Sequence, residues 1–122
     1  MKYTPFGEYF RILRIKHHEV LYDATEYLKV TSAYISSVEC GKRAVPNEWE
    51  KIISDHFKLS DTEIDELHNA IEQSKKSIRL NLEGISPVQK QAALSFYRSF
   101  DGIDDETAKK IVKILEKNNN GL

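Results

Sequence analysis

The chain has 122 residues, 40% of them hydrophobic and 30% charged, with 18 Lys and Arg against 19 Asp and Glu. That is the make-up of an ordinary globular protein of one domain, or one domain with a helical appendage; folding can bury about two-thirds of the extended chain's surface, enough for a core but not for a large enzyme pocket. A net charge of -1 gives no global basic signature, so a polyanion has to be met by local charge, and a single Cys excludes an internal disulfide or a Cys-based metal cluster.

The N-terminus MKYTPFGEYF has no apolar run of signal-peptide length. No window is long enough to span a bilayer, so the expectation is a cytoplasmic protein without a membrane partner. Pro5 opens a first helix in which Phe6, Tyr9, Phe10, Leu13 and Ile15 fall at helical spacing, with His17 and His18 at its end. A second, from Leu21 to Leu28, is expected to bury Leu21, Ala24, Thr25 and Leu28. A tight turn through Lys29 and Val30 then leads to Thr31, a good N-cap for a third helix from Ser32 to about Cys40. Gly41 reads as its stop, because a left-handed residue there costs glycine no Cβ strain.

A fourth helix is expected from about Pro46, with Trp49, Ile52, Ile53 and Phe57 on one stripe. Ser60-Asp-Thr-Glu63 is a capping box for a fifth, which carries Ile64, Leu67, Ala70 and Ile71 and continues to about Lys76. In SIRLNLEG the alternation of Ile78, Leu80 and Leu82 fits either an extended connector or an edge strand. Ser86-Pro87-Val88-Gln89 is a second capping box, and Val88, Ala92, Phe96 and Phe100 supply the stripe of its helix. Asp104 or Asp105 can cap the last helix, with Ala108, Ile111, Ile114 and Leu115, and the tail NNNGL is expected to fray. The fold expected is therefore all-α, with a domain over residues 1–59 whose core extends into the helix from 60 to about 77. Residues 78–122 form a C-terminal helical region for dimerisation or partner binding.

The third helix carries the functional signal. At 3.6 residues per turn Ile35 and Val38 point one way, with Thr31 and Glu39 near that side, while Ala33, Ser36, Ser37 and Cys40 point the other, flanked by Ser32 and Tyr34. A helix with so low an outer profile fits a DNA major groove, where hydroxyls reach base edges and an alanine methyl meets a thymine methyl. Lys42 and Arg43 would lie beside a phosphate strand, and the preceding short helix supplies the other half of a helix-turn-helix.

Residues Phe6 to Leu59 resemble the five-helix helix-turn-helix domain of phage-repressor and Xre-type transcriptional regulators. The resemblance is carried by FRILRIK, LYDATEYLKV, TSAYISSVECGKR and VPNEWEKIISDHFKLS, most specifically by Ile35-Ser36-x-Val38-Glu39-x-Gly41-Lys42. Thr25, Lys29 and Leu21 depart from it, standing where the family usually has Ala, Gly and a polar phosphate-binding residue. The resemblance implies base contacts from Ser32, Ala33, Ser36 and Ser37, and a structural pair between Arg14 and Glu39. It further implies a repressor that binds duplex DNA as a homodimer. The appended helices of such regulators serve for pairing or for a partner protein, which directs attention to Val88, Ala92, Phe96, Phe100, Ile111 and Leu115. The alternative it leaves open is an antitoxin-like module that neutralises a toxin or metallopeptidase and regulates its own synthesis.

Several residues keep two readings. Tyr34 either packs over the turn or touches a phosphate or base, as a flanking contact beside Thr31. His17 is a helix-end histidine or a phosphate ligand. The four His do not cluster at zinc spacing, and Cys40 reads as a small residue at a helix end, so no metal and no cofactor are expected. Nor is an enzyme, because no nucleophile is paired with a base and no glycine loop is suited to phosphate.

Overall fold

The structure, a computed structural model, describes residues 2–120. Among them every regular element is helical: α1 (Pro5–Lys16), α2 (Leu21–Leu28), α3 (Ser32–Glu39), α4 (Trp49–Phe57), α5 (Asp61–Gln73), α6 (Pro87–Ser99), a 3-10 turn (Phe100–Gly102) and α7 (Asp105–Asn120). The chain divides into two compact units, Met1–Ile78 and Arg79–Leu122.

In the first unit, α1 packs against α3 and α5, and α2 against α3 and α4. Phe6, Phe10 and Leu13 of α1 meet Ala24, Leu28, Ile35, Val38, Trp49, Ile53, Phe57 and Leu67 in one core. A side-chain cap sets the entry of α1. Thr4 accepts the Gly7 N–H at 3.1 Å through its hydroxyl, which also donates to the Glu39 carbonyl oxygen at 3.0 Å, so the start of α1 is fastened to the end of α3. Gly7 makes that approach possible, because a Cβ there would stand 2.3 Å from the same carbonyl oxygen. The Phe6 N–H, left without an intrahelical acceptor, donates to the Ser74 hydroxyl at 2.9 Å and ties α1 to the end of α5. At the other end of that contact the Tyr9 hydroxyl donates to the Glu63 carbonyl at 3.0 Å. Burial and then the charge of Glu66 push its phenol up to about 12.

Arg14 and Glu39 meet inside this unit. Arg14 Nη1 lies 2.9 Å from Glu39 Oε2, the side chains are 6% and 2% exposed, and the guanidinium covers the Phe10 ring at 4.4 Å. Ile15, by contrast, is 66% exposed, since the helical stripe of α1 turns away from the core after Arg14. Leu21 and Thr25 are half-buried. Helix α4 begins at Trp49, not Pro46, because the segment from Pro46 first closes a turn with the Trp49 N–H on the Pro46 carbonyl at 3.1 Å. Helix α5 stops at Gln73, where the Ser74 hydroxyl bends back to the Ala70 carbonyl at 2.7 Å.

The second unit is differently built. Among its described residues none is buried; Leu82, Ile85, Ala93, Leu94, Ile103, Ala108 and Ile111 are half-buried. Residues 78–82 carry no strand, since an alternating pattern without a neighbouring strand leaves the backbone unpaired. The Ser86 and Gln89 capping box starts α6, with the Gln89 N–H on the Ser86 hydroxyl at 3.1 Å and the Ser86 N–H on Gln89 Oε1 at 2.8 Å. Phe100 falls beyond α6 in the 3-10 turn, its ring 5.6 Å from that of Phe96. Asp104 caps α7 by accepting the Thr107 N–H at 2.8 Å; hydrogen bonding by the Thr107 side chain, then by this N–H, holds its carboxyl below the usual range. The helix runs through Asn120, so the tail is helical further than expected; Gly121 and Leu122 lie outside the described residues.

Candidate nucleic-acid interface

Helices α2 and α3 meet through a turn of three residues, Lys29 to Thr31. Lys29 takes the left-handed conformation at φ 57° and ψ 41°, a position that favours glycine, and its exposed side chain points to solvent. Thr31 then caps α3, its hydroxyl accepting the Tyr34 N–H at 3.1 Å. Ile35, Val38 and Glu39 face the core and so fix which side of α3 looks out. On that outward side Ala33 is exposed, while Ser32, Ser36, Ser37, Tyr34 and Cys40 are half-exposed. Thr31, placed by periodicity near the inward side, is exposed because the N-cap lies before the first helical turn.

The end of α3 is a glycine-stopped reversal. The Lys42 N–H donates to the Ser37 carbonyl at 2.8 Å and the Gly41 N–H to the Val38 carbonyl at 3.0 Å, with Gly41 at φ +79°. The Arg43 N–H joins the Ser37 carbonyl at 3.2 Å, so the chain turns sharply at the end of the helix. The Arg43 guanidinium covers the Tyr34 ring at 4.9 Å, and that ring lies 6.1 Å from Trp49. Lys29, Lys42 and Arg43 are exposed, and none of the ion pairs found among the described residues involves them. The Lys76 ammonium adds a further cation, 3.6 Å from where a Gly41 Cβ would stand. Neither the Arg43 stack nor the approach of Lys76 is visible in the sequence, because both depend on the reversal at Gly41 rather than on a period.

The neighbouring surface has the opposite sign. Glu19, Asp23, Glu26, Tyr27 and His56 line a groove of about 480 Å³ beside α2. Within it Glu19 accepts the Tyr27 hydroxyl at 2.9 Å and meets His56 Nε2 at 2.6 Å; burial first, then this hydrogen bond, pushes the Tyr27 phenol up. An acidic groove repels a phosphate strand, whereas the exposed cations past α3 attract one. His17, exposed at the end of α1, stands apart from Tyr34: its ring packs on Phe57 at 4.7 Å, whereas Tyr34 packs on Trp49, and those two residues are at opposite ends of α4, about 12 Å apart along its axis.

In the second unit, Val88, Phe96, Phe100 and Leu115 are 73%, 44%, 61% and 57% exposed, Ala92 is exposed and Ile111 is half-buried. Among the described residues no group of His, Cys, Asp and Glu is arranged to hold a metal, and no helix is long and apolar enough to cross a membrane. Comparisons of the chain with protein-family models, with curated proteins and with solved structures find no match.

Proposed function

We propose that the chain is a sequence-specific DNA-binding transcriptional regulator, a repressor of the helix-turn-helix type, that lays α3 in the major groove and acts as a homodimer paired through its C-terminal helices. The observation that supports this is the outward side of α3, a low surface of Ala33, Ser32, Ser36 and Ser37 that ends in Lys42 and Arg43, cations in no ion pair among the described residues. Small side chains let a helix approach base edges, and positive charge just past its end favours a polyanion there. Pairing is favoured by the exposed apolar residues of a unit in which no described residue is buried, and two readers one DNA turn apart multiply a weak half-site affinity.

The test is a salt series of duplex binding by the full chain. Lys42→Ala should weaken binding to specific and scrambled duplexes alike and lower the log-log salt slope by about one unit. Enlarging Ala33 or Ser37 should instead alter base preference. A chain that binds no duplex at any salt overturns the proposal. The same exposed apolar residues favour the second reading, an antitoxin-like module for a toxin or metallopeptidase, which a stable complex of the full chain with such a protein would support.

A further inference from the structure

We propose that Arg43 is the principal base-reading side chain of this interface, recognising guanine through its O6 and N7 edge, and that Tyr34 is the platform that aims it; this rests on the DNA-binding proposal above. The outward side of α3 offers only hydroxyls and a methyl. Hydroxyls pair with donors or acceptors on any base and discriminate weakly, and the Ser37 hydroxyl proton is already given to the Tyr34 carbonyl at 2.6 Å. Strong discrimination calls for a side chain with two parallel hydrogen bonds, which Ser32, Ala33, Ser36 and Ser37 lack.

Arg43 has that shape and the right place. The reversal at Gly41 brings its backbone N–H to the Ser37 carbonyl, so the residue caps the C-terminal end of α3 and its side chain turns back from there to Tyr34. Tyr34 lies about 60° round the helix from Ser37. With its guanidinium centre 4.9 Å from the Tyr34 ring centroid, and that ring in turn against Trp49, the exposed Arg43 side chain is held against α3 at Tyr34. No carboxylate among the described residues pairs with it, so its donors remain open to a ligand. A guanidinium stacked on an aromatic face is a pre-organised fork, whereas Lys42, a flexible point charge, suits a phosphate.

Selection of bound sites from random duplexes by the wild-type chain and by Arg43→Lys, Arg43→Ala and Tyr34→Leu tests this. The wild type should enrich a G·C pair at one fixed position in each half-site. Arg43→Lys keeps the charge and should still bind, but should lose preference for that pair by about tenfold or more while other positions stay as they are. Tyr34→Leu, shown folded by circular dichroism, should weaken preference at the same pair. An unchanged consensus in Arg43→Lys, with Arg43→Ala weakening every duplex equally, overturns the assignment and leaves Arg43 a phosphate contact, with DNA reading intact. A wild type that enriches nothing overturns DNA reading itself, and the role of Arg43 with it.

Discussion

Replacing Glu39 with Ala removes one half of a buried ion pair and leaves the Arg14 guanidinium, 6% exposed and seated on the Phe10 ring, without its carboxylate. The bonds from the Thr4 hydroxyl and N–H to the Glu39 carbonyl survive the change, so the loss isolates the side-chain pair. An uncompensated buried charge costs about 3–5 kcal/mol. For a cooperative unit the size of Met1–Ile78 that is a fall in melting temperature of roughly 12 °C or more. The assay is urea unfolding and thermal melting of the full chain, followed by Trp49 fluorescence, since that indole is buried in the same core. Exchanging both partners together, as Arg14→Met with Glu39→Leu, should recover most of the loss, because two matched apolar side chains carry no desolvation cost. Glu39→Ala within about 1 kcal/mol of wild type, well below the cost of an unpaired buried charge, would refute the reasoning, and so would a double variant no better than the single one.

Gly7→Ala should cost at least about 1–3 kcal/mol in the same melts, because its Cβ would meet the Glu39 carbonyl oxygen at 2.3 Å and force α1 off α3. Lys29→Gly should raise stability by about 0.5–1 kcal/mol, the relief of left-handed strain at φ 57° outweighing the added freedom of the unfolded chain. Ending the chain after Ile78 should leave a folded unit that sediments as a monomer and binds a palindromic duplex more weakly; a truncated chain that still sediments as a dimer would place the interface within α1 to α5.

The sequence displayed the elements wherever a local signal was chemically distinct. Thr31, Ser60 and Ser86 cap helices at the residues their side chains suggest, and Gly41 stops α3 because its positive φ excludes most other residues. Legibility fell where the cause lies across the fold. His18, Lys29 and Lys58 hold the left-handed positions that end α1, α2 and α4, so no glycine marks those stops. Gly7 sits inside a helix, where one glycine carries no periodic signal, yet it sets the distance between α1 and α3. The outward side of α3 followed from periodicity, whereas the Arg43 stack on Tyr34 required the return of the chain past Gly41. His17 shows the same limit: its place at the end of α1 was legible, whereas the packing of its ring on Phe57 depends on how α4 lies against that end.

The central claim is that a pair of α3 helices reads duplex DNA, and the most direct measurement is the set of duplexes that the purified wild-type chain enriches from a random pool. The account predicts a palindromic consensus whose half-sites are centred about 10–10.5 base pairs apart, or a multiple of that, and are filled by two copies of the chain. A pool that remains random after repeated rounds at low salt would contradict it.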